Sequence, residues 1–566
     1  MEEEIEAPMT VESSVEPSKE EMETPMTVEP SADRKKEEKG YLARDEYTSE
    51  RFKLEINNLP KYFGFGDLKK KLKQLGVNFV KIKVPKTPNH AYVNFRNEED
   101  KEKGLKLLTG WSFRGNRIEV SHAKPATDIL FRTGKPKKND NKREHPAENP
   151  ADADLPDEVK IQNSATPLWN LSYAEQLAKK STIVQEFLGG LEQKIKETSS
   201  KTVTIPFEGI KPSPVIDGYR NKCEFSCGKG NNSDDKMVGF RYGEYRYGID
   251  RVGSPSVCKN VSDEMKLVVQ HFQDYIRSRT SSWYSGETHI GCWRQLTVRT
   301  SRLNHILIMI SFCQGQLSPE EIEEEKKIFL NYFTQGAGSI CKVTNIIFNV
   351  EKNKAGNELI QSELLLGDSY IVEKLFDFQF HVSAKAFFQA NTQGAEVLYS
   401  LIKDSMKLDN ETVLLDICCG TGTIGITLSN SVKEVVGIEM IKDAVEDAKR
   451  NAKLNNINNI EFIAEKIENV INKLVKKYSQ HRLVAILDPP RAGVHRRVIQ
   501  TLRSAENIKV LGYIACNPQL ATHNLVDLTR PRSRNYQGEP FEAVTTTAVD
   551  LFPHTPHYEL FILFQR

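Results

Sequence analysis

Leu414-Leu415-Asp416-Ile417-Cys418-Cys419-Gly420-Thr421-Gly422-Thr423-Ile424-Gly425 decides the fold of this chain. An apolar run ends in an acid and passes into a turn whose glycines let a ligand approach the backbone closely. From Phe376 onward apolar strands alternate with amphipathic helices, the pattern of a doubly wound α/β sheet. Strands are predicted at Val413–Leu415, Glu434–Ile438, Ile460–Ile463, Val484–Leu487 and Val510–Ala515. In open sheets of this kind ligands sit beyond the carboxyl ends of the strands, so the residues just past each strand are the site inventory.

After the first strand come Asp416, Gly420 and Gly422. After the second comes Glu439, nineteen residues past Gly420, where a carboxylate can bind ribose hydroxyls. That spacing also satisfies a dinucleotide fingerprint, so a nicotinamide enzyme stays open on the turn alone. Other details favour S-adenosyl-L-methionine. Asp416 precedes the first glycine by four residues, a place from which an acid can meet the amino group of a methionine moiety. The fourth and fifth strands run into Asp488-Pro489-Pro490-Arg491 and Cys516-Asn517-Pro518, groups that hydride transfer does not need. A cysteine at the end of an apolar run and ahead of a turn is how a nucleophilic thiol is presented. Cys418 and Cys419, inside the strand-to-turn segment, read as packing residues.

Taken with Tyr219-Arg220-Asn221-Lys222, Phe387-Phe388-Gln389-Ala390-Asn391 and His557-Tyr558-Glu559, these motifs resemble the RNA uracil-5-methyltransferase family over roughly residues 200–566. The resemblance implies that Cys516 is the nucleophile, that Glu559 is the proton acceptor, and that Gln389, Glu439 and Asp488 bind the cofactor. It also implies tRNA as partner and 5-methyluridine at position 54 of the T loop as product. Some family members carry an aromatic and an asparagine where this chain has Cys418 and Thr423. Arg491 is a candidate for favouring the Cys516 thiolate, while His554 and His557 receive no role. Two other classes stay open: an RNA-binding or tRNA-folding protein without essential catalysis, and a methyltransferase acting on another RNA.

Upstream, residues 1–45 read as a disordered acidic tail. Residues 1–32 hold ten carboxylates against Lys19, and Pro-Met-Thr-Val-Glu recurs at 8–12 and 25–29. Residues 46–125 adopt a strand-helix-strand-strand-helix-strand order and resemble an RNA recognition motif. Helices are predicted at Phe65–Leu75 and Glu98–Leu108, with strands at Lys53–Ile56, His90–Phe95 and Arg117–Val120. In that fold rings on the central strands stack on bases, yet Glu55 stands at the first such place, with His90 and Tyr92 at the others. RNA binding and protein docking therefore both remain as readings of this module. Residues 126–160 form a basic, polar linker with six cations between Arg132 and Arg143.

Residues 161–375 read as a helical lead-in, Ser172–Leu191, and then a strand-rich domain. There Tyr219–Ser226, Val238–Tyr242 and Trp293–Arg299 mix cations with rings, a surface suited to RNA. Residues 376–566 form the domain that carries the chemistry.

The 566 residues are nearly balanced in charge, at +1, so net charge identifies no partner. No apolar stretch reaches the roughly 18 residues that span a bilayer, and the nine scattered cysteines do not make a disulfide framework. The expectation is a soluble chain of the cytosol, the nucleus or both. Cys223, Cys227 and Cys258 lack the close pairing of a structural zinc site, and no metal or iron-sulfur centre is expected.

Overall fold

The computed structural model describes residues 52–60, 65–84, 89–95, 97–113, 115–123, 155–199, 202–230, 236–242, 251–285, 290–354 and 357–566. The acidic tail and most of the basic linker lie outside them. The described residues fall into two units, one within Glu16–Arg143 and one within Glu144–Arg566.

In the amino-terminal unit a four-stranded antiparallel sheet has the spatial order Lys81–Lys83, Ala91–Asn94, Lys53–Asn57, Glu119–His122. Leu54, Ile56 and Val93 alternate onto one face and are fully buried with Leu68, Leu72 and Leu108 of helices Phe65–Gln74 and Glu98–Leu108. The second helix starts where Asn97 accepts the Asp100 amide at 2.8 Å. The predicted closing strand Arg117–Val120 is divided: Asn116–Arg117 turns back on Ser112–Phe113, and Glu119–His122 closes the sheet.

The larger unit holds, among the described residues, two large sheets and the two-stranded antiparallel pair Tyr370–Leu375 with Phe378–Ser383. The central sheet has seven strands, in the order Val252–Gly253, Lys236–Arg241, Lys222–Lys229, Trp293–Thr300, Ile306–Cys313, Asn345–Lys354, Asn357–Leu366. Trp293 packs edge-on against Tyr275 of helix Asp263–Ser278, Trp293 and Phe348 pack tilted or edge-on against Phe329 of helix Pro319–Thr334, and Phe312 packs between Trp293 and Phe348. On its other side Leu307, Met309 and Ile347 share a core with Leu398, Leu414 and Phe561 of the second sheet's domain. Cys223, Cys227 and Cys258 lie within the central core, where burial pushes Cys227 and Cys258 up to about 12. No group of three metal-binding side chains occurs among the described residues.

The second sheet has eight strands: Ile460–Ala464, Glu434–Glu439, Thr412–Ile417, Arg482–Leu487, Ile508–Ala515, Glu559–Gln565, Glu542–Val549 and Phe207–Lys211. The five predicted strands form one contiguous parallel block, and Glu559–Gln565 enters antiparallel beside Ile508–Ala515. Chain order reverses between Thr412–Ile417 and Arg482–Leu487, a switch point that opens a crevice at the strand ends.

Two expectations change. The lead-in, predicted with the central domain, is the longer helix Tyr173–Ser199, and its Val184, Leu188, Leu191 and Ile195 pack into the core of the eight-stranded sheet. Phe207–Lys211 then runs parallel to Glu542–Val549 as an edge strand of that sheet. The reason is the helix's apolar stripe, which finds its complement on the far side of the sheet rather than in the adjacent sequence.

Candidate active site

The register of the eight-stranded sheet assembles the site. Ile417 pairs with both Ile438 and Leu487, and Leu487 pairs with Tyr513. Cys418, Glu439, Asp488 and Cys516 therefore emerge from the carboxyl ends of four adjacent strands. In the antiparallel pair Ala515 faces Leu560, so Cys516 just past one strand and Glu559 at the start of the other lie at the same end of the sheet. Residues far apart in sequence thus come to one crevice because each ends or begins a strand of one sheet.

The glycine turn is built by left-handed backbone at Cys418, Gly420 and Gly422, with φ of 62°, 53° and 81°. Gly422 caps the short helix Thr423–Leu428, and a Cβ there would lie 2.7 Å from the Phe462 ring. At Gly420 a Cβ would meet nothing within 4 Å, so the turn is open on that side. Glu439 is oriented by two backbone amides, Gly420 at 3.3 Å and Ile441 at 2.9 Å. Asp416 is fully buried; its Oδ2 accepts the Gly425 amide at 2.9 Å, while Oδ1 has no hydrogen-bond partner. Burial pushes its carboxyl up to about 7, with the charges of Asp488 and Glu439 adding to the rise and the Gly425 amide opposing it. Asp488 keeps an edge to solvent, yet desolvation by its surroundings pushes it to about 7 as well.

Two buried tyrosines mark how closely these groups gather. Tyr399 exchanges a hydrogen bond with Thr423 at 3.2 Å, and its ionisation is raised by burial first and then by Asp488, Asp416 and Glu559. Tyr513 donates to Asn524 at 3.0 Å and is raised by burial, then by Cys418, Cys516 and Asp488. Tyr399 is carried in by helix Thr392–Met406, just downstream of Gln389. Gln389 is buried, and its carbonyl accepts from Asn221 at 2.8 Å. Asn391 caps that helix through the Gly394 amide at 2.8 Å. The Tyr219–Lys222 and Phe387–Asn391 motifs are therefore one packed junction.

The three thiols near the crevice differ. Burial, then Glu439, Asp488 and Asp416, pushes Cys418 up to about 12, and Cys419 is raised well above the ordinary range by burial, then by Asp416 and Glu439. Neither is suited to act as a thiolate. Cys516 is partly exposed and stands just before helix Pro518–Thr529, where Asn517 accepts the Leu520 amide at 3.2 Å. A helix amino terminus favours negative charge beside it. Arg491 is exposed on the turn after Asp488. Asp416, Glu439, Asp488 and Glu559 make a cluster of acids suited to a cationic ligand. The unpartnered Asp416 Oδ1 and the open Gly420 turn fit a bound aminoacyl nucleoside with a positive centre.

Part of the expected RNA surface is structural. Arg299 is buried and donates to the Ala384 carbonyl at 3.1 Å and to that of Ala386, fixing the segment that leads to Gln389. Arg294 pairs with Glu351 and lies over the Tyr284 ring.

The family model described as tRNA (Uracil-5-)-methyltransferase matches residues 345–566. The mouse tRNA (uracil-5-)-methyltransferase homolog A is 40% identical over 541 residues, covering 93% of this chain and 86% of its own length. The human tRNA (uracil-5-)-methyltransferase homolog B is 36% identical over 422 residues, covering 72% and 84%. Among solved structures, the Pyrococcus abyssi tRNA (uracil-54, C5)-methyltransferase in complex with S-adenosyl-L-homocysteine superposes with a TM-score of 0.50 at 23% identity, over 70% of this chain and 84% of that one.

Proposed function

Because the chain belongs to the tRNA (uracil-5-)-methyltransferase family, we propose that it methylates carbon 5 of a uridine in tRNA, at position 54 of the T loop, using S-adenosyl-L-methionine. The observation that supports this reading is the register pairing Ala515 with Leu560, which brings the strand ends that carry Cys516 and Glu559 to the edge of the sheet where the glycine turn lies.

When bound, the cofactor supplies an electrophilic methyl group on a sulfonium. Gln389, Asp416, Gly420, Gly422, Glu439 and Asp488 are the groups we assign to holding it: the acids offset its positive charge and the glycines let it lie against the backbone. Carbon 5 of uracil is a weak nucleophile. Addition of the Cys516 thiolate to carbon 6 forms the S–C6 bond and moves the ring's π electrons toward carbon 5 and the carbonyl oxygen, which makes carbon 5 reactive. Once carbon 5 carries the methyl group, Glu559 removes its hydrogen as a proton. The C–H electrons restore the C5–C6 double bond, and the S–C6 bond breaks to return the thiolate.

We read the amino-terminal unit as recognition-motif-like from its element order and sheet. Its Tyr92 hydroxyl lies 3.4 Å from Glu55, and that carboxylate favours protein docking or weak RNA positioning over base stacking. The test of the catalytic reading is incubation with tRNA carrying 5-fluorouridine in the T loop. Carbon-5 chemistry traps an adduct that resists denaturation, because fluorine does not leave as a proton does. An adduct requiring Cys516 and the T-loop position supports the assignment. Methylation without any adduct, or an adduct at another uridine, contradicts the nucleophile or the position respectively.

A further inference from the structure

The nine residues Asp550–Tyr558 connect strand Glu542–Val549 to strand Glu559–Gln565, and Val549 pairs with Glu559 at the mouth of the connection. Distant segments hold this turn. Lys180 donates to Asp550 Oδ1 at 2.5 Å and to the Phe552 carbonyl at 3.0 Å, and both partners of the ion pair are fully buried. One helical turn earlier, Gln176 Oε1 accepts the His554 amide at 2.7 Å and its Nε2 lies 3.2 Å from His554 Nδ1. His554 Nε2 meets Asp217 at 2.6 Å, Tyr219 donates to the Pro553 carbonyl at 3.1 Å, and Asn391 donates to the Leu551 carbonyl at 3.1 Å.

An ion pair in such a place adds little stability over an apolar pair of the same volume, because desolvating two charges offsets their attraction. What it adds is direction: one ammonium reaches both a carboxylate next to Val549 and a carbonyl two residues on. We propose that the buried Lys180–Asp550 pair, with Gln176, is a positioning device that fixes Glu559 at the end of the sheet that carries Cys516 and thereby sets the rate of elimination rather than of methyl transfer. This rests on the covalent reading above. Lys180 and Gln176 touch no reacting atom; they act through the turn.

The experiment uses the full chain with Lys180→Met and Asp550→Leu combined, so that no lone charge is left buried. Thermal melting comes first, then single-turnover reaction with unmodified tRNA. Methyl incorporation into all RNA and release of free RNA from the enzyme adduct are measured separately. The expected result is a melting point near that of the parent, methyl incorporation within about twofold, and release slowed by at least about tenfold, since small misplacement of a reacting group costs that much or more. The adduct should then accumulate, as is expected for Glu559→Gln. Gln176→Met, which keeps the ion pair, should give the same signature more weakly and serves if the double variant does not fold. Unchanged release, or equal slowing of both steps, overturns the positioning role while leaving the covalent reading intact. If the parent forms no adduct on any tRNA, or Cys516→Ala forms one, the covalent reading itself fails and takes this proposal with it.

Discussion

In the eight-stranded sheet the polar groups gather beyond the strand ends, whereas in the four-stranded sheet of the amino-terminal unit they lie across a face. Asp416, Glu439, Asp488, Cys516 and Glu559 are brought together by strand order and register, and no one of them need be unusual for the crevice to exist. Across the other sheet runs the row Lys83, Tyr92, Glu55, Ser121, in which cation, ring and carboxylate offset one another. The first site is therefore specified by topology, and small changes in it alter chemistry. The second depends on the sum of its side chains, and changes there should alter affinity modestly.

The largest effect that would test this contrast is at Glu559. Exchange for glutamine should lower turnover by about 10²–10⁴-fold while leaving a stable RNA adduct on a denaturing gel. Full turnover would remove Glu559 from the crevice's chemistry.

Next comes pH. Asp416 and Asp488 have carboxyls raised to about 7, so both carry protons below that pH and become anionic above it. Affinity for S-adenosyl-L-homocysteine, whose amino group is cationic, should rise from about pH 6 to about pH 8, by up to roughly tenfold per unit for each coupled proton. For the ligand-free chain the sign is opposite. A raised carboxylate stabilises the fold below its unfolded value, and that contribution is lost as pH rises through about 7, so the melting temperature should fall on approach to neutrality and then level off. Calorimetric titration and melting curves read the two signs separately, and a flat affinity profile would place the acids outside the cofactor's reach.

A smaller effect is expected at Gly422. Alanine must adopt φ of 81° and meet Phe462, which should cost about 1–3 kcal/mol in denaturant unfolding and weaken cofactor binding. Smallest is Glu55→Gln, which removes one carboxylate from the row and should change tRNA affinity by no more than about 1 kcal/mol in filter binding. A larger gain would make that face a principal RNA contact, and the contrast between the sheets would narrow.

The parallel strands were legible as short, mostly apolar runs bounded by turn residues, and the candidate site was legible with them because four of the five lead directly into Asp416, Glu439, Asp488 or Cys516. Helices Glu98–Leu108 and Phe65–Gln74 were legible from their periodicity. The edge strand Phe207–Lys211 was not, since Phe-Glu-Gly-Ile-Lys has no clear alternation and its partner begins more than three hundred residues later. The Lys180 clamp was missed for a related reason. In a helix rich in Gln, Lys and Glu, a buried lysine looks like any exposed one until its partner, 370 residues away, is known. The available signal was Asp550 itself, an acid set between Val549 and Leu551-Phe552, which calls for a buried cation. The cation-and-ring strands of the central domain misled at Arg299, because alternation places a side chain on a face without saying what covers that face.

The account stands on Cys516 acting on a tRNA uridine. Its most direct test is mass spectrometry of nucleosides from unmodified tRNA incubated with S-adenosyl-L-methionine and either the intact chain or Cys516→Ala. The account predicts new 5-methyluridine with the intact chain and none with the variant. Equal 5-methyluridine from both, or tRNA bound by the intact chain with no methyl group added, would contradict it.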